Sequence, residues 1–297
     1  MIRRSWFGIL ALLAAAVAVA QTGQPFRHGG MPAVSPDGRQ VVFISERDSV
    51  WELYSVRPDG SGTRRLTHTS ERGLVPGWTR DGRLVARFVS DDRTRLHVIG
   101  ADGSSQKLAE ARAVGMSISN DGRRIAYGVG TWGRNRVYVA DTDGSHARAL
   151  TDSSNSWFNF AWSPDDRMLA VARMDSAKDL QVWLLDVDDV GRRALTYFAQ
   201  RDGRPQWPAW SPDGKRIAVQ AGIYDRDHPE RSDAYIWVID VESGRATRLG
   251  SHDRPWLDET PSWFPDGKRI AYQSTRTGPM EIWVMDADGT DSRPITR

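Results

Sequence analysis

A Pro-Asp-Gly turn recurs along this chain, as SPDG at 35–38, TRDG at 79–82, SNDG at 119–122, SPDD at 163–166, SPDG at 211–214 and FPDG at 264–267. From Asp37 the steps to Asp81, Asp121, Asp165, Asp213 and Asp266 are 44, 40, 44, 48 and 53 residues. A period of about 40 to 50 residues marks a propeller, a solenoid or an array. Such a chain builds one supersecondary unit per period and buries its apolar faces by stacking units.

Each period contains the same four pieces. A short segment ends in Trp or an apolar residue ahead of the turn, as at Trp78, Trp162, Trp210 and Trp263. A β-rich run follows the turn, and then an aromatic and aliphatic run: LYSV at 53–56, VYV at 137–139, VWLL at 182–185, IWVI at 236–239 and IWVM at 282–285. A second Asp-Gly turn comes next, at Asp59, Asp102, Asp143 and Asp288, and the period closes on Leu-Thr or Ile-Thr, as at Thr67, Thr151, Thr196 and Thr296. Alternating β-formers bounded by tight turns read as short antiparallel strands. The expected fold is all-β, a six-bladed β-propeller of four-stranded antiparallel blades, with blades starting near residues 31, 75, 114, 158, 206 and 259. Radial closure protects the edges that so many strands would expose. The turn aspartates have a structural task, bonding the backbone two residues on. The repeat-positioned tryptophans are assigned to packing between blades.

The balance of 40 basic and 38 acidic residues leaves a formal charge of +2 and gives no footprint for nucleic acid. Cysteine is absent, which excludes disulfides, thiolate metal sites and a cysteine nucleophile. Arg3 and Arg4 precede an apolar run over 6–20 that ends Ala18-Val19-Ala20. A charged start, an apolar stretch and an A-x-A site read as a signal peptide over 1–20, with a short lead over 21–30 and the propeller over 31–297. The other reading is an uncleaved anchor, but the run is shorter than the roughly 18 to 20 apolar residues of a span. The expected address is periplasmic or secreted, with no stable membrane span after cleavage and a monomeric state.

The repeated turn, aromatic strand, Asp-Gly-Ser turn and terminal Leu-Thr resemble the WD40-like repeats of the TolB-type β-propeller over about residues 30 to 297. TolB proteins carry a further N-terminal domain that engages other members of an envelope complex. About ten residues separate Gln21 from the first blade here, so the resemblance carries to the propeller alone. Similar propellers stand in front of a serine peptidase domain in the prolyl oligopeptidase class; a hydrolase domain is not expected in this sequence. The resemblance implies binding of an envelope protein or a peptide.

Both repeated turns fall on one face of the disc, so the variable loops, longest at 197–206, 222–233 and 250–259, fall on the other. Binding residues concentrate on irregular loops held by a rigid scaffold. Trp132, Trp157, Trp207 and Trp256 lie there outside the packing pattern, and Trp is enriched at binding hot spots. Covering a blade rim is the alternative role for each. Arg72, Arg112, Asn159, Arg204, Asp258 and Glu259 lie just upstream of the inner strands, where they are expected to line the channel mouth.

His28, His68, His228 and His252 map to the same face and are the candidates for a metal. A site needs three or four groups converging at about 2.0 to 2.2 Å, and no HExxH or other short histidine spacing occurs, so no metal or other cofactor is expected. The Asp-rich runs at 141–145 and 286–291 lack the bidentate Glu of a calcium loop and coincide with hairpin turns. No G-x-S-x-G elbow and no phosphate loop is present. The expectation is a non-catalytic binding propeller. The alternative is a metal-dependent propeller lyase or hydrolase acting on a carbohydrate, with tryptophans stacking on sugars.

Overall fold

The computed structural model describes residues 29–48, 50–68, 75–90, 93–131, 133–174, 180–189, 191–196, 198, 203–224, 228, 231–250 and 255–296. They form twenty-four strands in six sheets of four. Blade 1 holds β1 (Gly30–Val34), β2 (Val41–Ser45), β3 (Glu52–Val56) and β4 (Arg64–Arg65). Blade 2 holds β5 (Val75–Trp78), β6 (Leu84–Ser90), β7 (Arg93–Ile99) and β8 (Ser105–Ala111). In blade 3 are β9 (Met116–Ile118), β10 (Arg124–Thr131), β11 (Arg134–Asp141) and β12 (Arg148–Ala149). Blade 4 contains β13 (Ser156–Trp162), β14 (Met168–Met174), β15 (Leu180–Asp186) and β16 (Arg192–Ala194). Blade 5 contains β17 (Gln206–Trp210), β18 (Arg216–Ile223), β19 (Asp233–Asp240) and β20 (Ala246–Arg248). Blade 6 is β21 (Asp258–Trp263), β22 (Arg269–Ser274), β23 (Glu281–Asp286) and β24 (Arg293–Pro294). Every sheet is a simple antiparallel meander, and no α-helix occurs among the described residues.

The repeated sequence pieces have specific bonding roles. In the first turn Ser35 Oγ donates to Asp37 Oδ1 at 2.6 Å, Arg39 N–H donates to the same oxygen at 3.0 Å, and Gln40 N–H donates to Ser35 Oγ at 3.0 Å. The hydroxyl holds the Asp37 carboxyl below its usual range, and the serines of the fourth and fifth copies do the same for Asp165 and Asp213. The closing Leu-Thr extends the sheet past its last regular strand. Leu66 N–H donates to the Leu53 carbonyl at 2.7 Å while Thr67 Oγ1 accepts from Leu53 N–H at 3.0 Å. Thr151, Thr196 and Thr296 repeat the second bond on Val137, Val182 and Ile282. In these four blades the threonine thus satisfies a third-strand donor that the short outer strand does not reach.

The core is distributed among the joints between blades. Phe43, Tyr54, Phe264 and Ile282 fill the joint of blades 6 and 1, and Val137, Trp157, Trp162 and Leu169 that of blades 3 and 4. Ile217 and Val219 meet Leu184 between blades 4 and 5, while Trp263 and Tyr272 meet Ile236 between blades 5 and 6. The repeat tryptophans work at these joints: Trp78, Trp210 and Trp263 donate Nε1–H to the Ala33, Ala161 and Ala209 carbonyls of the preceding blade at 3.2, 3.1 and 3.1 Å. Blade 3 carries Ile118 in place of this tryptophan, and the joint of blades 2 and 3 is filled by smaller groups, Val85, Leu96, Ala109, Met116, Ile125 and Ala140.

Closure of the ring uses packing and side-chain bonds between β1 and blade 6. Met31 N–H donates to Gln273 Oε1 at 2.8 Å, and Val34 N–H donates to Ser262 Oγ at 3.1 Å. All four strands of the blade 6 sheet follow one another in the chain.

Candidate functional site

The site grows from a backbone device that sequence periodicity does not show. In blades 1, 4, 5 and 6 the inner strand slips register against its partner between Gly30 and Ala33, Phe158 and Ala161, Gln206 and Ala209, and Glu259 and Ser262. Each bulge places one residue in the left-handed region: Met31 (φ 51°), Asn159 (φ 54°), Trp207 (φ 51°) and Thr260 (φ 50°). Non-glycine residues seldom adopt this conformation, and bulges of this kind re-aim side chains beside binding sites. In blade 2 the inner strand pairs without a register shift. The wall of the channel is therefore asymmetric.

The bulged amides of blades 1 and 6 are held by glutamines one blade upstream. Gln273 serves Met31, and Gln220 Oε1 accepts from Thr260 N–H at 2.9 Å. The same two glutamines surround Glu259, which is only 2% exposed. Gln273 Nε2 donates to Glu259 Oε2 at 2.9 Å, and Tyr224 Oη donates to Oε1 at 2.6 Å. Burial pushes the Glu259 carboxyl up from its usual range even though Tyr224 and Gln273 stabilise its charged form. Burial also raises the Tyr224 hydroxyl, and the neighbouring Glu259 charge adds to it. A polar cluster satisfied to this degree is rigid.

Next to it, Asp258 is also buried and accepts from Ser274 Oγ at 2.7 Å and Arg276 Nη2 at 2.6 Å. The Arg276 guanidinium stacks near the rings of Trp256 at 5.7 Å and Trp283 at 5.5 Å. Trp256 is half-buried, and its carbonyl accepts from Ala234 N–H at 2.9 Å. Trp207 is half-buried as well, and it packs against the apolar cluster of blades 1 and 2 that contains Met31, Ile44 and Phe88. A residue of blade 5 reaching that cluster lies across the channel mouth.

The sequence-predicted residues are thus divided. Asn159, Trp207, Asp258 and Glu259 lie on the inner strands of blades 4, 5 and 6, and Trp256 lies on the loop that leads into β21, under the Arg276 guanidinium. Asn159 Oδ1 is buried without a hydrogen-bond partner. Arg112 and Arg204 stand exposed. Trp157 does not belong to the mouth surface: it is 1% exposed, and Asn135 bonds both its N–H and its carbonyl. The alternation of β13 turns its ring into the joint of blades 3 and 4, edge-on to Trp183 at 6.0 Å. Trp132, Arg72, His28 and His252 lie outside the described residues. His68 and His228 are exposed, and among the described residues no group of three or more His, Cys, Asp or Glu is placed to hold a metal ion. The glutamines and Tyr224 were not singled out from sequence. Their signal was available, since Gln220 and Gln273 occupy matching positions of β18 and β22 opposite Gln206 and Glu259.

Among known proteins, the TolB beta propeller domain family matches residues 123–297, more than half of the chain. Dipeptidyl-peptidase 5 of Porphyromonas gingivalis is 23% identical over 333 residues, covering 89% of this chain and 47% of that protein. The chain thus spans less than half the length of this relative. In solved structures, TolB from Acinetobacter baumannii superposes with a TM-score of 0.65 at 20% identity, over 95% of this chain and 67% of that one. A puromycin-hydrolyzing peptidase of Mycobacterium tuberculosis superposes with a TM-score of 0.62 at 16% identity, over 94% of this chain and 55% of that one.

These similarities correct the expectation of a non-catalytic protein. Nearly nine-tenths of the chain aligns with a protein named as a peptidase, so the lack of a nucleophile motif is no ground for excluding peptidase work. A motif search reads local chemistry, whereas a propeller contributes through surfaces assembled from distant blades. The matched repeats, the six four-stranded blades and the bulged inner strands lead to one assignment: the chain belongs to the TolB beta propeller domain family.

Proposed function

We propose that this propeller binds an extended peptide or protein segment at the channel mouth on its variable-loop face, and that it does so in the service of peptide hydrolysis. One observation carries the reading. Four left-handed residues on four inner strands, Met31, Asn159, Trp207 and Thr260, ring the mouth, and the amides of two of them, Met31 and Thr260, are held by Gln273 and Gln220. A backbone held in so costly a conformation is preorganised, and little ordering entropy is lost when a ligand docks on it. The mouth offers what a peptide needs, an indole at Trp207 for apolar side chains and polar groups for the main chain. The peptidase name of the curated relative supports a peptide as the ligand. Export through residues 1–20 to the periplasm or the exterior belongs to the same proposal.

The test is calorimetric titration of the purified full chain with unstructured peptides, together with an assay of release of dipeptides from their amino ends. Micromolar binding by wild type that weakens at least tenfold in Trp207→Ala supports the reading. A panel of varied peptides with no binding and no cleavage sinks it. After cell fractionation the protein should be found outside the cytoplasm with its amino terminus at Gln21; recovery only from the cytoplasm with residues 1–20 retained would refute the export part.

A further inference from the structure

The rung of second-strand residues that carries Gln220 and Gln273 has a different occupant in blade 2. Arg87 pairs with Val75 on β5, as Gln220 pairs with Gln206 and Gln273 with Glu259. The rung borders the channel mouth, because its two glutamines hold Met31 and Thr260. Yet Arg87 has almost nothing to bond. Its Nη1 donates a long 3.4 Å bond to the Met116 carbonyl, and its buried Nε has no partner. Among the described residues it forms no salt bridge, and burial lowers its pKa to about 10. Arg87 is half-buried, and a partly desolvated cation without a counter-charge is costly unless a negative group reaches it.

The facing blade leaves that side of the guanidinium without a side chain. Gly115 lies opposite, where a methyl would sit 3.8 Å from Arg87 Nη1 and 3.5 Å from Phe160. The same rung in blade 3 is Gly128, and blade 3 is the one that carries Ile118 in place of the joint tryptophan. The joint of blades 2 and 3 is thus the one with the smaller core groups and the unmatched charge. In a ring of six it stands across the axis from the joint of blades 5 and 6, where Glu259 is fully bonded.

We propose that Arg87 is the recognition point for a single carboxylate of the bound peptide. A lone guanidinium fork matches one carboxylate in charge and geometry, in a bidentate pair. The peptide's carboxyl terminus and an acidic side chain supply the same chemistry. The site rests on the peptide-binding reading above, and two measurements keep the failures of the two apart.

The first is thermal unfolding of the full chain at constant ionic strength with hippurate, a small amide-bearing carboxylate, or with neutral hippuramide. Wild type should gain several degrees with hippurate and none with hippuramide, as expected when a ligand binds only the folded state. Arg87→Met should lose the hippurate shift while unfolding at a higher temperature than wild type without ligand; Arg87→Gln is the second variant if that one fails to fold. No hippurate shift in wild type, or equal shifts in wild type and variant, overturns the site.

The second is calorimetric titration with one peptide as its acid, as its amide, and as its amide with an internal Asp. Loss of tenfold or more from acid to amide identifies the carboxyl terminus; recovery by the internal Asp identifies the side chain. Both preferences should vanish in Arg87→Met. Peptide bound equally in all three forms leaves the peptide reading standing and overturns the carboxylate site. A hippurate shift without any peptide binding does the opposite.

Discussion

Asp166 accepts the Asn120 backbone N–H at 2.6 Å and the Asn120 side-chain amide at 2.7 Å, binding the turn of blade 3 to the turn of blade 4. The same carboxylate takes Asp121 N–H at 3.0 Å and lies 3.5 Å from Arg80 Nη2 of blade 2. Asp166 is the copy of the repeat in which Gly gives way to Asp, and it keeps the positive φ of 59° that glycine would hold freely.

Asp166→Gly therefore weighs two effects against each other. Restoring glycine relieves about 1 kcal/mol of left-handed strain. It also removes bonds to an ionised acceptor worth about 1.5 to 3 kcal/mol each, with partial water compensation. The bonds outweigh the strain, and a net loss of about 2 kcal/mol is expected in urea unfolding. A gain in stability would mean that the clamp contributes nothing.

Ring closure is tested at Gln273. Gln273→Leu leaves the Met31 N–H without its acceptor and Glu259 Oε2 without its Gln273 donor, both buried, while Tyr224 still donates to Oε1. An unsatisfied buried group costs about 1 to 3 kcal/mol. Hydrogen exchange should report faster opening at Met31 and Val34 than elsewhere. Uniform loss of protection across all blades would place closure in the packing of Phe43 and Phe264 instead.

Trp157 and Trp207 should separate stability from binding. Trp157→Ala empties a fully buried site and should cost about 3 to 5 kcal/mol. Trp207→Ala removes a half-buried ring, and a cost of about 1 to 2 kcal/mol is expected from the smaller area. Peptide affinity should fall at least tenfold for Trp207→Ala and stay near wild type for Trp157→Ala under conditions where it is folded. The reverse pattern would move the ligand away from the channel mouth.

Glu259 sets a pH dependence of definite sign. Its folded pKa is raised, so the folded state holds the proton more tightly than the unfolded chain. Its contribution to stability is present at low pH and is lost as pH rises from the unfolded value of about 4.3 through the folded one. Glu259→Gln should flatten that part of the stability profile, measured by urea unfolding at a series of pH values. An unchanged slope would show that another group carries it.

The repeat of Pro-Asp-Gly, Asp-Gly and Leu-Thr was enough to read six blades, four strands per blade and the face on which the loops vary. These features are local: a turn needs its own Asp and Gly, and a strand shows its period within a few residues. The tryptophans at the repeat positions were legible for the same reason, since one packing role recurs in blades 2, 4, 5 and 6. Trp157 was misplaced because sequence spacing reports where a residue falls in a strand and not which way the pleat turns it once a bulge shifts the register. The left-handed residues, the Glu259 cluster and the unmatched Arg87 were decided only by the tertiary structure. Each is a relation between residues of different strands or blades, up to 242 positions apart for Met31 and Gln273, and burial and pairing exist only after the ring has closed.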